Sequence, residues 1–330
     1  MRAASLVIFH GSCWDGFTAA WVFSKFYNKR KAAFDPEPEF FGAHYGEEPP
    51  DCKGRDVYVL DFSYPRETMI NKVILPSGRT FVYDHHQTAQ EDLHDLVGEI
   101  RMKHNVNRVG DKIVFDMARS GAGITFDELS RDAGQRAGVH APRAGGRSLW
   151  IVDYVEDRDL WRNALPRTEA FTAYMATQPM TFEAWDAMND STLEELADKG
   201  EAVQDYIEQY GKKANDQARV EKIAGYKALT INVPYMNCSE FLHMLLTTPN
   251  NIKVQPTFAA SYFRTMSGKW QFSLRSIGDF DVSEVAKQFG GGGHKSAAGF
   301  KTSRLPWEEN AESGKEQSGQ TDTESSKETE

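Results

Sequence analysis

The sequence predicts an α/β protein in two parts: a doubly wound, mainly parallel sheet followed by a smaller α/β C-terminal domain. Over about the first 160 residues, short β-rich runs alternate with segments of helical pattern, the rhythm of a doubly wound domain. The apolar runs there end directly on polar residues able to do chemistry. In open α/β sheets, ligands collect at the carboxyl ends of strands, near a topological switch point. From about Ala224 onward the pattern turns β-rich again, which calls for a second sheet.

Residues 6–9, Leu-Val-Ile-Phe, give the first strand, and 57–61 and 80–83 give the next two. Their polar sequels, 10–16, 61–64 and 84–86, are expected to converge at one sheet edge. The stretch 17–26, with Ala19, Ala20, Trp21 and Phe23, reads as a helix packed on the sheet. Further helices are expected near 123–137 and 148–161. Between 190 and 213, Leu193, Leu196, Val203, Ile207 and Tyr210 recur at close to helical spacing, and Ser191 with Glu194 suits a capping box. That helix is expected to join the two domains. Strands at 228–233, 257–264 and 270–275 follow, then a helical segment at 282–289 leading into the glycine run 290–293 and His294. There is no internal repeat. The expected division is 1–180 for the first domain, 181–220 for a helical linker, 221–304 for the second domain and 305–330 for a tail.

Composition narrows the function classes. At 330 residues and 40% hydrophobic content the chain can fill a core in each domain. No apolar stretch approaches the roughly 20 residues of a membrane helix, and residues 6–9 are too short for a signal-peptide core. No membrane partner is expected, and the expected location is the cytoplasm. Cys13, Cys52 and Cys238 are odd in number, widely separated and in no CxxC pair, which argues against a disulfide framework or a zinc knuckle. The net charge of -10 argues against gripping long nucleic acid through a broad basic surface. Much of that charge is local: residues 305–330 hold eight acidic and two basic residues, a net of -6, leaving -4 for the rest. With Trp307 as its single large apolar residue, this tail is expected to be disordered.

The chemistry concentrates in a few clusters. Asp84-His85-His86 follows the apolar Phe81-Val82-Tyr83 and offers hard oxygen with borderline nitrogen, a mixture suited to Mn²⁺ and similar ions. The segment from His10 to Gly16 supplies an imidazole, a thiol and a carboxylate within one turn. Its structural alternative makes Cys13 a small buried residue and Asp15 the N-cap of a helix starting near Phe17. Asp61 closes the run 57–60 and Asp157 lies within 151–161; a buried carboxylate must be paired, hydrogen-bonded or bound to a cation.

In this order the pieces resemble the motifs of the DHH family of phosphoesterases, the oligoribonuclease and RecJ-like group, from about Leu6 to Phe300. The matching residues are Cys13-Trp14-Asp15-Gly16, Asp61, Asp84-His85-His86 and Asp157, then Gly291-Gly292-Gly293-His294-Lys295-Ser296-Ala297-Ala298-Gly299 as the signature of the DHH-associated domain. The family's first motif ends in Asp-x-Asp-Gly; here Cys13 stands in place of the first Asp, as in one branch of the family. The resemblance implies an active site in an interdomain cleft with two divalent cations, Mn²⁺ being the expected ion. Asp15, Asp61, His85 and Asp157 would hold one. His10 and Asp61 would hold the second, with Cys13 replacing an oxygen ligand and Asp84 close by. A thiolate is softer than a carboxylate and must first lose its proton, so Cys13 could favour zinc, weaken the second site or merely line it. Asp84 and His86 would be catalytic, His86 contacting the scissile phosphate or moving a proton. Gly291, Gly292 and Gly293 would let the backbone approach an anion, with His294 and Arg275 holding the far end of a short substrate.

The function so implied is hydrolysis of phosphodiester bonds in short single-stranded oligonucleotides or related nucleotides. Two alternatives stay open. Hydrolysis of polyphosphate or pyrophosphate would demand many cations, and the C-terminal region offers Arg264, Arg275 and Lys295. A nucleotide-binding regulator with a degraded centre is suggested by Cys13. Oligomeric state, a homodimer included, is left open.

Overall fold

The computed structural model describes residues 3–32, 35–103, 110–132, 149–233, 238–247 and 256–308. The chain divides into two compact units, residues 1–205 and 206–330.

The first unit begins with β1 (Leu6–His10), α1 (Trp14–Arg30), β2 (Glu39–Ala43) and β3 (Asp56–Leu60). A short α2 (Arg66–Thr68) runs into a π-helical turn, Met69–Ile74, followed by β4 (Arg79–Asp84), α3 (Gln87–Leu93), α4 (Leu96–Lys103) and β5 (Lys112–Phe115). The remaining helices are α5 (Gly121–Asp132), α6 (Ile151–Asp159), α7 (Thr168–Met175) and α8 (Phe182–Asp190), and the long α9 (Leu193–Asn215) starts in this unit. The five strands pair in parallel in the order β2-β1-β3-β4-β5.

The strand sequences explain the two covered faces. Successive strand side chains point to opposite sides, and a parallel sheet buries both. Val7, Leu60, Phe81 and Tyr83 enter one core with α1, α5, α6 and α7. Leu6, Ile8, Val57, Val59 and Val82 enter the other with Met69, Val73, Leu93, Leu96 and Ile100. Each fully buried Leu, Ile or Val contributes about 1.5–3 kcal/mol relative to exposure.

Several sequence expectations shift. Helix α1 starts at Trp14, with Cys13 as N-cap, so Asp15 lies in the first turn and is not the cap. The capping box at α9 is one residue later than expected: Thr192 Oγ1 accepts from Glu195 N at 3.3 Å while a Glu195 carboxylate oxygen accepts from Thr192 N at 3.2 Å. Residues 181–205 pack as part of the first unit, because Trp185 is fully buried and donates from Nε1 to Thr18 Oγ1 at 2.8 Å, and Met188 and Leu196 enter the same core. The parts of the expected helices at 133–137 and 148 lie outside the described residues.

The second unit contains β6 (Arg219–Ile223), β7 (Tyr226–Asn232), α10 (Cys238–Thr247), β8 (Phe258–Arg264), β9 (Trp270–Arg275), α11 (Val282–Lys287), β10 (Gly292–His294) and β11 (Ala297–Thr302). Its sheet runs β10-β11-β9-β8-β7-β6, antiparallel except for β7 with β8. One face packs Phe258, Phe272, Leu274, Val282 and Phe300; the other packs Leu229, Ile231, Phe241 and Leu245. Part of the glycine run is strand: Gly293, at φ 145°, lies so close to β11 that a Cβ would sit 2.5 Å from Ala297 O. The described residues reach Glu308, with Trp307 packed on Tyr262 at 5.1 Å and on Phe272 at 5.9 Å. A tail beginning at 305 is therefore placed too early, since the indole buries apolar area that offsets the cost of ordering; residues 309–330 lie outside the described residues. Among the described residues, no helix is long and apolar enough to cross a membrane.

Candidate metal centre

The strand order brings the polar strand ends together. His10 ends β1, Asp61 follows β3, and Asp84, His85 and His86 sit at and just beyond the end of β4, three adjacent strands about 4.8 Å apart. The chain leaves β1 and β3 sharply: Ser12 has φ 56° and Asp61 φ 54°. The left-handed region costs a non-glycine residue about 1–2 kcal/mol, and it places the Asp61 carboxylate beside the neighbouring loops.

The first donor group is Asp15, Asp61 and His85, all buried, with ligand atoms within 4.8 Å of one another. His85 Nε2 lies 3.1 Å from Asp61 Oδ1, 3.6 Å from Asp15 Oδ2 and 3.5 Å from Asp159 Oδ2. Asp15 is held by the amino end of α5: Gly121 N donates to Oδ2 at 2.6 Å and Ala122 N to Oδ1 at 3.0 Å. These amides have no partner within their own helix, and a carboxylate is favoured at that end of the helix dipole. Position 121 must be glycine, because a Cβ would stand 2.4 Å from that of Asp61.

The second donor group is His10, Asp61 and His86, again within 4.8 Å, with His10 Nδ1 3.5 Å from Asp61 Oδ2. Asp61 thus belongs to both groups, and both its carboxylate oxygens are buried with no aligned hydrogen-bond donor. Tyr45, 59% exposed, flanks this side, its ring 5.6 Å from that of His10 and 6.5 Å from that of His86.

Asp84 does not belong to either group. Its Oδ1 accepts from His85 N at 2.7 Å and His86 N at 3.1 Å and meets His86 Nδ1 at 2.7 Å, while Oδ2 accepts from Ser63 Oγ at 2.6 Å. Asp84, expected close to the second ion, in this way fixes the orientation of His86. Asp157, expected as a ligand, also lies outside both groups. Its carboxylate accepts from Ala164 N at 3.0 Å, Leu165 N at 3.1 Å and Thr168 Oγ1 at 2.6 Å, so it braces the turn between α6 and α7. Asp159, two residues on, faces His85 instead. A signal for it was present in the sequence: Asp159 lies seven residues after Val152 and four after Val155, on the helix face that these two buried residues define. Cys13 is in neither donor group; its half-buried thiol is pushed up by burial and by the negative charges of Asp61, Asp159 and Asp15. Ser63 and Tyr45 as parts of the centre lay beyond local sequence patterns.

The charges show what this pocket lacks. Burial, then the neighbouring Asp61 and Asp159, push Asp15 well above the usual carboxylate range. Burial would also raise Asp61, but the His10 and His85 imidazoles outweigh it and hold it well below that range. His85 is driven well above its ordinary value, burial being overcome by Asp159 and Asp61. Three carboxylates around one imidazole leave an excess of negative charge. Orphaned buried oxygens, imidazole nitrogens and that excess fit a hard or borderline divalent cation.

In the second unit, the remaining candidates line up across the sheet. His294 pairs with Ala297, which pairs with Arg275, and Arg275 donates to Ser239 Oγ at 2.5 Å. Arg275 and His294 thus share one cross-strand row beside Gly292 and Gly293.

Comparison with known proteins agrees with this architecture. The DHHA1 domain family matches residues 242–317. An uncharacterised protein of Acanthamoeba polyphaga mimivirus is 25% identical over 323 residues, covering 91% of this chain and 68% of its own length. The DHH domain of a member of the s1p family of ribosomal proteins superposes with a TM-score of 0.50 at 13% identity, over 90% of this chain and 82% of that one. RecJ from Thermus thermophilus, determined in complex with Mn²⁺, gives a TM-score of 0.43 at 16% identity, over 90% of this chain and 49% of that one. Fold and strand-edge residues define a doubly wound α/β protein with an acidic, imidazole-containing centre. Residues 242–317 of the chain match the DHHA1 domain, and its fold is similar to that of a solved DHH domain.

Proposed function

We propose that this protein is a metal-dependent phosphoesterase that hydrolyses phosphodiester bonds of short single-stranded oligonucleotides or related nucleotides in the cytoplasm, with Mn²⁺ as its ion. The observation that carries the reading is Asp61, shared by two donor groups, with both oxygens buried, facing the His10 and His85 imidazoles and without an aligned hydrogen-bond donor. Asp61 would serve the cation of each group, and such ions, when bound, would polarise a phosphoryl group and acidify the attacking water.

The chain's own residues divide the remaining work. Asp15, His85 and Asp159 complete one side of Asp61, and His10 and His86 the other. Asp84 holds His86 through Nδ1, which leaves Nε2 as the nitrogen to meet the scissile phosphate or pass a proton. The exposed ring of Tyr45 beside His10 supports a nucleotide over a bare phosphoanhydride, because it offers a base a stacking face.

The test is product analysis with Mn²⁺ across dinucleotides, longer single strands, cyclic dinucleotides and pyrophosphate. Mononucleotide release from dinucleotides is expected, and turnover of pyrophosphate alone would defeat the proposal. Tyr45→Ala should raise KM for a dinucleotide roughly tenfold, in line with stacking energies of about 1–3 kcal/mol per base, while Tyr45→Phe should not.

A further inference from the structure

Glu156 and Arg119 are each at least nine-tenths buried, yet neither is in a donor group. Arg119 Nε donates to Glu156 Oε2 at 2.7 Å, and the same oxygen accepts from Ser120 N at 3.2 Å. Arg119 also pairs with Asp127 on α5, and Arg162 Nη1 stands 3.6 Å from Glu156 Oε1. The oxygen sits so close to α5 that a Cβ on Gly123 would be 2.0 Å from it.

The location of this pair gives it a role. Residues 119–122 carry the two amides that hold Asp15. Glu156 lies on α6, one turn before Asp159. One buried carboxylate therefore ties the segment that grips Asp15 to the helix that presents Asp159, and those two aspartates stand 3.6 and 3.5 Å from the same His85 nitrogen. We propose that Arg119 and Glu156 form a positioning pair that sets the spacing of Asp15 and Asp159 around His85, and so the affinity of the centre for its cation. This rests on the metal reading above. Replacing a buried ion pair by a well-packed apolar pair is often neutral or stabilising, so the contribution of this pair is read in the geometry it sets rather than in overall stability.

The experiment is calorimetric Mn²⁺ binding to the full chain, with melting followed in the absence and presence of Mn²⁺, for the wild type, Glu156→Gln, Arg119→Lys and Asp61→Asn. The wild type should bind and Asp61→Asn should not. Glu156→Gln should bind about 10–100-fold more weakly, the usual effect of losing a residue that orients ligands, and excess Mn²⁺ should restore most of its turnover. Arg119→Lys keeps the charge and gives up the forked geometry, so a smaller loss in the same direction is expected. A wild type that binds Mn²⁺ together with a folded variant of unchanged Mn²⁺ affinity, whatever its melting temperature without metal, would overturn the positioning role and leave the metal reading intact. Should Glu156→Gln not fold, Arg119→Lys decides by the same criterion. A wild type that binds no Mn²⁺ would overturn both.

Discussion

Asp157 and Asp159 make opposite predictions although they are two residues apart. Asp157→Ala removes an acceptor that serves two amides and a hydroxyl within the first unit. Hydrogen bonds to a charged group contribute about 1.5–3 kcal/mol each, and the orphaned amides can be partly rescued by water. A net loss of about 3 kcal/mol is expected, which for a unit of this size lowers Tm by roughly 6–12 °C. Asp159→Asn, by contrast, changes a side chain that is 26% exposed and 3.5 Å from His85 Nε2. Without metal its Tm should hold or rise slightly, because one of three crowded carboxylates is neutralised. Its Mn²⁺ affinity should fall by roughly 100-fold or more, beyond the 10–100-fold typical of a residue outside the ligand set. Melting without metal, paired with Mn²⁺ calorimetry, separates the two cases. If Asp157→Ala loses Mn²⁺ binding at unchanged Tm while Asp159→Asn binds normally, the structural assignment is wrong and the sequence-based one is right.

Asp84→Ala should abolish turnover, yet Mn²⁺ should still bind at the group of Asp15, Asp61 and His85, since Asp84 acts through His86; loss of all Mn²⁺ binding in a folded variant would count against that division. Burial pushes the Cys52 thiol up from 9.0 to about 11. At pH 8 its thiolate fraction is then lower by about 100-fold than that of an ordinary thiol, so alkylation in the native state should be slower in proportion. The folded state retains the proton longer than the unfolded one, so this contribution to stability is present below pH 9 and declines as pH rises from there through the folded value. Melting curves from about pH 8 to 11 for wild type and Cys52→Ala would show it, and identical pH slopes would remove Cys52 as a cause.

The parts legible in sequence were those fixed by chain neighbours. Apolar runs ending on His10, Asp61 and Asp84-His85-His86 placed three of the clusters, because strand ends in a parallel sheet point one way. Register within α6 was harder: Asp157 and Asp159 share composition and differ by two residues in the direction they face, and distinguishing them required the stripe of Val152 and Val155. The role of Asp84 was hidden for another reason, since Ser63 and the amides it binds are brought to it by the fold. Trp307 lies among polar residues and Trp185 within the expected linker, yet a single indole can anchor a short segment.

The sequence distance between donors carries a consequence for the life of the chain. His10, Asp15, Asp61 and His85 emerge first in synthesis, but Asp15 takes its place only against Gly121 and Ala122, and Asp159 arrives later still. Contacts of such long separation form late, after loop closure has been overcome. A nascent chain therefore has no assembled centre until nearly the whole first unit has left the ribosome, and a product truncated before Asp159 would lack part of it.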